Sequence, residues 1–322
     1  MKKILIIRFS SIGDIVLTTP IMRCLKIQKP EIELHYTTKS VFKDILVKNP
    51  YIDKIHFLEK DINELIIKLK NEKFDLIVDL HNNLRSHIIS YKLNVKTYRV
   101  HKLNFRKFLL VNFKINILPK LHIVDRYFKV VNKINVKNDS KGLDYFIDKI
   151  ANSVFVEEII KSDYIAWVIG GKHATKIFPA ESIISVCKNL EKKVVLLGDA
   201  NDVYRGNSIA AEAENVFNAA GKFSLNESAL VLQNAELVIT NDTGLMHIAA
   251  ALNKKIISIW GNTVTDFGMY PYMPLNNSAY KVIEVKNLKC RPCSKLGFKN
   301  CPKKHFKCMR NIDSKEILRE IK

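Results

Sequence analysis

The sequence predicts an α/β protein with two doubly wound parallel sheets in tandem. Short apolar strands alternate with helical patterns over residues 2–80, and the same alternation starts again at Tyr164. Such alternation is typical of parallel sheets that are covered by helices on both faces. The length of 322 residues also exceeds what one hydrophobic core usually fills. We therefore expect an N-terminal domain over residues 1–155 and a C-terminal domain over residues 156–322, with the boundary in the polar stretch 132–161.

The first half opens with a strand. Residues 2–9 form an apolar, β-branched run, and a loop of small residues separates it from a helical pattern over 15–27. Residues 74–80 form the clearest later strand, and a helix over 62–71 precedes it. Two further strands are predicted at 31–36 and 54–58.

The second half repeats the pattern up to the C-terminus. Strands are predicted at 164–169, 193–197, 236–240 and 255–260, and helices at 180–190, 225–233 and 243–252. A last short helix, over 314–322, could pack back onto the first domain.

The composition is that of an ordinary globular protein, with 47% hydrophobic and 26% charged residues. No stretch approaches the roughly 18 apolar residues that span a bilayer. The opening apolar run stops at Arg8 without a cleavage site, so we expect a cytoplasmic protein. The net charge of +20 favours polyanionic partners such as nucleic acid, anionic lipid or phosphorylated glycolipid. Scattered lysines on a solvated surface are the alternative explanation.

The first candidate site is the loop Ser10-Ser11-Ile12-Gly13-Asp14, which follows the first strand. Ligands of open α/β sheets bind at the carboxyl ends of the strands. Gly13 permits a tight turn, and Asp14 falls at the start of a helix. Asp14 either only caps that helix or acts as a general base on an acceptor hydroxyl, with the helix N-terminus keeping it ionised.

Two loops of the second half are suited to a diphosphate. Asp242, Thr243 and Gly244 lead from a strand into a helix that also carries His247, and backbone N–H groups at such a point bind phosphate. The loop 170–179 combines glycines and lysines after another strand. It is not a P-loop, and no loop has the spaced glycines of a dinucleotide fingerprint. The alternative is a capping Asp242 and a His247 that belongs to the core.

Together these loops resemble those of the ADP-heptose:lipopolysaccharide heptosyltransferases, glycosyltransferase family 9. The resemblance rests on the Ser-Ser-Ile-Gly-Asp loop and on Asp242-Thr243-Gly244-x-x-His247, and it covers nearly the whole chain in order and spacing. It implies a GT-B fold of two Rossmann-like domains facing a central cleft, with the acceptor on the N-terminal domain and the donor on the C-terminal one. It also implies an inverting glycosyltransferase that moves a heptose from ADP-heptose to the inner core of lipopolysaccharide, or to a lipid A precursor, at the cytoplasmic face of the inner membrane. No cofactor is expected.

The resemblance further implies roles for individual residues. Asp14 would deprotonate the attacking hydroxyl, Lys176 would neutralise the leaving diphosphate, and Asp202 matches an acidic position that binds the nucleotide ribose. The implied donor-binding residues are Gly13, Gly171, Lys172, Lys176, Asp202, Asp242, Thr243, Gly244 and His247. The implied acceptor-binding residues are Arg85, Ser86 and Arg126. The two arginines could instead be surface salt-bridge partners. Gly171 and Lys172 depart from the family, which often carries hydroxyl residues at these places.

The six cysteines fall into two groups. Cys24 and Cys187 lie on helical patterns and are expected to be small buried hydrophobes. The other four have the spacing C-x2-C-x7-C-x6-C and are Cys290, Cys293, Cys301 and Cys308. This spacing resembles a structural metal knuckle, and reduced thiols without metal or disulfides are the alternatives.

Other function classes remain open at this stage. Within enzymes they are a GT-B transferase with another sugar or acceptor and a nucleotide-sugar epimerase. A basic nucleic-acid-binding protein would explain the charge and the four spaced cysteines. The basic residues are spread along the chain, however, and no recognition-helix signature is visible.

Overall fold

The chain divides into two compact units in the computed structural model, which describes residues 2–148 and 154–321. The first unit comprises Met1–Leu103 and Leu121–Asp148, and the second comprises Asn104–Lys120 and Lys149–Lys322. The segment 104–120 therefore belongs to the second unit, although its position in the sequence falls within the expected N-terminal domain. The boundary at residue 155 stays a prediction, because the adjoining residues 149–153 lie outside the described residues.

Strands and helices alternate along the described residues. The strands are β1 (Lys3–Ile7), β2 (Glu33–Lys39), β3 (Lys54–Leu58), β4 (Leu76–Asp79), β5 (Thr97–Arg99), β6 (Tyr164–Val168), β7 (Lys193–Leu197), β8 (Val216–Asn218), β9 (Leu237–Asn241), β10 (Ile256–Trp260) and β11 (Tyr280–Glu284). The helices are α1 (Ile12–Val16), α2 (Thr19–Gln28), α3 (Ile62–Glu72), α4 (Leu84–Leu93), α5 (Asn104–Phe113), α6 (Ile123–Val131), α7 (Val154–Ile159), α8 (Ala180–Cys187), α9 (Val203–Ala210), α10 (Leu225–Asn234), α11 (Gly244–Ala251), α12 (Lys307–Arg310) and α13 (Ser314–Ile321).

The first unit contains a five-stranded parallel sheet in the order β3-β2-β1-β4-β5. The chain moves outward from β1 through β2 and β3, and then returns to the other side of β1 as β4. The order therefore reverses between β1 and β4. In open α/β sheets this reversal opens a crevice at the carboxyl ends of the two strands. The loops after β1 and β4 meet there.

The second unit contains a six-stranded parallel sheet in the order β11-β10-β9-β6-β7-β8. In this sheet the order reverses between β6 and β9. All residues of β6, β9 and β10 are buried, because helices cover both faces of these central strands. Trp167 of β6 stacks on Phe178, which anchors the loop after β6 on the core. The predicted α/β class with two parallel sheets is confirmed.

Two expectations about helices are wrong. The pattern over 15–27 is broken into α1 and α2, because Pro20 favours the first turn of a new helix that begins at Thr19. The last helix packs within the second unit, to which it belongs. Ile317 of α13 is fully buried in the core of that unit, and Lys281 of β11 pairs with Glu320 at 2.8 Å.

The segment 104–120 is held in the second unit by polar contacts at its C-terminal end. The Lys114 ammonium donates to the carbonyl of Pro292 at 2.6 Å, and the Asn116 amide donates to Asp266 at 2.6 Å. Within the described residues, every helix is too short or too polar to cross a bilayer.

Candidate active site

In the first unit, the Asp14 carboxylate lies in the loop after β1 and is bound by Arg8. Arg8 Nη2 lies 2.6 Å from Asp14 Oδ2, and the Ser11 hydroxyl donates to the same oxygen at 3.1 Å. The Ser11 N–H also donates to it at 3.3 Å, as in a capping box. About a quarter of the Asp14 side chain is exposed. Asp14 therefore does cap α1, and its carboxylate still reaches solvent at the point where the sheet order reverses.

Arg8 is itself fixed by the loops around it. Its guanidinium donates to the carbonyl of Ser10 at 2.6 Å, to that of Leu80 at 2.8 Å, and to the Tyr127 hydroxyl at 3.3 Å. Burial alone would lower the pKa of Arg8, but the Asp14 carboxylate together with Tyr127 and Tyr36 outweighs burial, and the pKa is raised. Arg8 thus remains charged and holds Asp14 in one orientation.

His81 follows β4 and lies beside this pair. Its ring packs edge-on against Phe9 at 5.8 Å between centroids. Burial, together with the charges of Arg8 and Lys102, lowers its pKa to about 3, so the imidazole is neutral. Its Nδ1 has no hydrogen-bond partner among the described residues. A neutral, unsatisfied ring nitrogen at this position is suited to a ligand hydroxyl.

The three expected acceptor-binding residues are placed differently. Arg85 is exposed at the start of α4. Ser86 is fully buried, and its hydroxyl donates to Asp79 Oδ2 at 2.7 Å, so that group is occupied in the fold. Arg126 is only 6% exposed on α6, and burial lowers its pKa. Arg126 therefore does not lie on the surface, and of the three expected residues only Arg85 is exposed to solvent.

In the second unit, Lys176 and Asp242 form an ion pair between the loops after β6 and β9. Lys176 Nζ lies 2.5 Å from Asp242 Oδ2, with the two side chains 16% and 11% exposed. The Thr263 hydroxyl, from the loop after β10, donates to the same oxygen at 3.0 Å. Three loops at one edge of the sheet are thereby joined at a single carboxylate. An ammonium group lies where the sheet order reverses.

Asn241, the last residue of β9, holds the loop after β6 through two hydrogen bonds to its backbone. Its buried side-chain amide donates to the Gly170 carbonyl at 3.1 Å and accepts from the Phe178 N–H at 3.2 Å. A Cβ atom on Gly171 would lie 3.6 Å from the methyl group of Thr243. The two predicted phosphate loops are therefore in contact.

The remaining residues expected to bind the donor also lie at or near the carboxyl ends of the strands of the second sheet. Thr243 caps α11, which begins at Gly244, while His247 is 2% exposed inside that helix. Lys172 is exposed. Asp202 is 7% exposed, accepts from the Asp199 N–H at 3.0 Å, and has its pKa raised by burial. Its carboxylate lies so close to Gly170 that a Cβ atom there would be 2.1 Å from Oδ2.

Sequence reasoning missed a further polar residue at this edge. Asn262 is 1% exposed, and neither end of its side-chain amide has a partner among the described residues. Its only signal in the sequence is its position just after a strand.

A cluster at the other end of the first sheet was also not predicted. His35, His56 and Glu72 have ligand atoms within 4.8 Å of one another. Hydrogen bonds from Lys54 and Lys3 lower the pKa of Glu72 to about 2. Because two ammonium groups already neutralise this carboxylate, the cluster is suited to stabilising the fold and poorly suited to a cation.

Comparison with known proteins finds a matching family. The sequence profile of glycosyltransferase family 9 (heptosyltransferase) matches residues 62–304. Lipopolysaccharide heptosyltransferase 1 of Campylobacter coli is 26% identical, over 99% of this chain and 98% of the relative. Lipooligosaccharide heptosyltransferase 2 of Haemophilus influenzae is 25% identical, over 91% and 92% of the two chains.

Solved structures share the fold. The family 9 glycosyl transferase of Veillonella parvula has a TM-score of 0.80 at 22% identity, covering 99% of this chain and 96% of the other. The ADP-heptose lipopolysaccharide heptosyltransferase II of E. coli has a TM-score of 0.73 at 20% identity, covering 100% and 97%.

Proposed function

Because this chain belongs to glycosyltransferase family 9, we propose that it transfers a heptose from ADP-heptose to the inner core of lipopolysaccharide, with inversion at the anomeric carbon. The supporting observation is the Lys176–Asp242 ion pair at the reversal point of the second sheet. The pair holds the Lys176 ammonium beside the N-terminus of α11, and an ammonium next to a helix N-terminus is the combination that a leaving diphosphate requires.

In this proposal the second unit binds the donor. The N–H groups at Thr243 and Gly244 and the Lys176 ammonium face the diphosphate, with Lys172 nearby. Donor binding shifts Lys176 from Asp242 toward the phosphate, and Thr263 still donates to the Asp242 carboxylate. Asn262 has an unsatisfied amide for the sugar or ribose hydroxyls. Asp202 packs against Gly170 and supports the loop after β6. It contacts the ribose only through the small exposed part of its side chain.

The first unit activates the acceptor. An acceptor hydroxyl attacks the anomeric carbon, the bond from that carbon to the β-phosphate oxygen breaks, and the hydroxyl proton passes to Asp14. Arg8 orients Asp14 and keeps it ionised until the proton arrives. The exposed Arg85 and the neutral His81 are suited to acceptor phosphate and hydroxyl groups. The proposed mechanism uses no cofactor. Because the proposed acceptor is linked to a lipid, the reaction takes place at a membrane surface, and we propose the cytoplasmic face of the inner membrane.

A thermal-shift panel of ADP, UDP, GDP and inorganic diphosphate tests the donor. Selective stabilisation by ADP is expected, because a ligand that binds only the folded state raises the melting temperature. Selectivity for UDP or GDP would show that the donor is a different nucleotide sugar. Transfer from ADP-heptose to a heptose-deficient lipopolysaccharide then tests the acceptor. Absence of transfer despite ADP binding would reject that acceptor.

A further inference from the structure

Large apolar side chains are exposed together in the segment 104–120 of the second unit. They lie on α5 or just after it, and each is between 48% and 70% exposed. We call them the exposed apolar face, and its members are Phe105, Phe108, Phe113, Ile115 and Ile117. A single exposed apolar residue is normal on a protein surface, but a contiguous group of them marks an interaction site.

Contacts within the segment show that the exposed apolar face is continuous. The rings of Phe108 and Phe113 meet edge to face, with their centroids 5.9 Å apart. After α5 the chain runs back along the helix, because the Ile115 N–H donates to a carbonyl of α5 at 3.3 Å and the Arg106 guanidinium donates to the Ile117 carbonyl at 3.4 Å. The phenylalanines and the isoleucines therefore form one patch.

Other side chains of the segment, outside the exposed apolar face, fix it in place. Leu110 is buried, and it lies on the opposite side of α5 from Phe108. The Lys107 ammonium lies over the Phe267 ring, 5.6 Å from its centroid. The hydrogen bonds to Pro292 and to Asp266 hold the C-terminal end. Because these contacts already fix the segment, folding does not account for the apolar side chains on its outer side.

The exposed apolar face lies in a part of the chain without acidic residues. No Asp or Glu occurs in the sequence between Asp79 and Asp125, although the chain has 32 of them in 322 positions. The basic residues of segment 104–120 are Arg106, Lys107, Lys114 and Lys120. Asp266, which accepts from the Asn116 amide, offsets part of this charge. Apolar side chains amid an excess of positive charge are typical of a helix that lies in the headgroup region of an anionic membrane.

We propose that segment 104–120 docks the enzyme on an anionic lipid bilayer. The exposed apolar face enters the headgroup region, and the basic side chains bind lipid phosphates while their apolar stems follow the phenylalanine rings. The docking rests on the proposed function for its purpose, because it brings a donor-bound enzyme to a lipid-linked acceptor. The helix lies on the membrane and does not cross it.

Two other occupants of the exposed apolar face fit the observations less well. A second copy in a two-fold dimer would set the same patch against itself, and the four basic residues of each segment would meet four others without an acidic partner in either segment. A single-stranded nucleic acid stacks its bases on aromatic faces. Ile115 and Ile117 have no such face, and the rings of Phe108 and Phe113 already contact each other.

Vesicle binding by the full chain is the first test. The chain should co-sediment with vesicles of phosphatidylglycerol and phosphatidylcholine, and about tenfold less with phosphatidylcholine alone. Phe105→Ser combined with Phe113→Ser should weaken the binding by about tenfold or more. Tyr204→Ser combined with Ile67→Ser is the matched control and should bind within about twofold of the natural chain. It removes two apolar side chains that are 87% and 62% exposed, on α9 and α3.

The second test removes charge and keeps the apolar side chains. Arg106→Gln combined with Lys120→Gln should weaken binding to the anionic vesicles roughly 10- to 30-fold at low salt, and less at high salt. Both variants should keep the melting temperature and the ADP affinity of the natural chain, because the substituted side chains are exposed. No binding by the natural chain, equal binding to both kinds of vesicle, or an equal loss in the matched control would each overturn the docking surface.

Two measurements decide between the occupants. Sedimentation velocity detects a dimer, and fluorescence anisotropy detects binding of a labelled single-stranded oligonucleotide. If the phenylalanine variant lost either of these and bound vesicles like the natural chain, the exposed apolar face would belong to that other partner, and the membrane docking would be overturned.

Transfer kinetics connect the docking to the proposed function. The phenylalanine variant should have a KM raised about fivefold or more for an acceptor embedded in vesicles, and an unchanged KM for the same acceptor after its acyl chains are removed. An equal rise for both forms would overturn the docking as the cause. Because the test vesicles contain no lipopolysaccharide, a chain that binds them but never binds ADP would reject the proposed donor and leave the docking surface intact.

Discussion

Replacing Lys176 with methionine separates two roles of its ion pair with Asp242, one in folding and one in phosphate binding. The substitution removes an ammonium 2.5 Å from a carboxylate that is only 11% exposed. Breaking a fully buried pair costs about 3–5 kcal/mol, and an exposed pair is worth about 1 kcal/mol or less. This pair is closer to the buried case, but Thr263 still donates to the carboxylate, so we expect a loss of about 2–3 kcal/mol.

The double substitution Lys176→Met with Asp242→Asn is the matched control. It removes both charges, so no uncompensated carboxylate is left in the partly buried site, and Thr263 can still donate to the amide oxygen. We expect its stability to recover to within about 1 kcal/mol of the natural chain. ADP affinity should not recover, because the charge that binds the phosphate is still missing. Losing a charge-assisted hydrogen bond weakens binding by about 1.5–3 kcal/mol, or roughly 10- to 150-fold.

The two tryptophans make this measurement local to the second unit. Trp167 on β6 and Trp260 on β10 are fully buried in its sheet, and the chain has 2 tryptophans in all. Urea unfolding followed by their fluorescence therefore reports on the unit that contains the ion pair, and calorimetric titration gives the ADP affinity. If the double variant regained ADP affinity together with stability, Lys176 would act only through folding, and its assignment to the leaving phosphate would be refuted.

Three further predictions concern the base, a buried histidine and the loop after β6. Asp14→Asn should lower turnover by at least about 100-fold in steady-state kinetics, while calorimetry should find its ADP affinity within about twofold of normal. Near-normal turnover would refute the assignment of Asp14 as the base. Burial lowers the pKa of His56 to about 4. Below pH 6.5 the unfolded chain therefore binds a proton at His56 that the folded chain does not bind, and stability is lost as the pH falls from 6.5 to 4. His56→Gln should reduce this loss by on the order of 2 kcal/mol in urea unfolding followed by circular dichroism at pH 7 and pH 4.5, and an unchanged acid sensitivity would show that the burial of His56 is not its cause. Gly170→Ala should displace Asp202 and cost about 1–3 kcal/mol in the fluorescence assay, whereas Gly171→Ala, whose new methyl group meets Ile177 at 3.3 Å, should cost less than about 1 kcal/mol; equal losses would refute the packing argument.

The sequence predicts the central strands well and the edge strands poorly. Residues 164–168 are buried along their whole length, and such strands appear in the sequence as continuous apolar runs. Of the four edge strands, β3 was predicted, whereas β5, β8 and β11 were not. β5 has three half-buried residues, two of them aromatic or charged, so neither alternation nor an apolar run marks it. An edge strand is defined by its neighbour, which the local sequence does not contain.

The candidate site shows the same division. Asp14, Lys176 and Asp242 could be found because short motifs after strands mark them. Arg8 and Thr263 could not, since each matters through a side-chain contact with an aspartate to which no sequence motif links it. Thr263 meets Asp242 across 21 residues of chain. The burial of Ser86 and Arg126 was not predicted, because a motif does not show whether its residues are buried.

Residues 104–120 have a consequence for how the chain is made and cut. They leave the ribosome before almost all of the unit to which they belong, so α5 and Lys114 must wait for partners such as Pro292. A recombinant fragment that starts at residue 149 would lack them and leave their binding surface uncovered. The polypeptide passes from one unit to the other at 103, at 120 and at 148, so a single proteolytic or genetic cut cannot yield two intact halves.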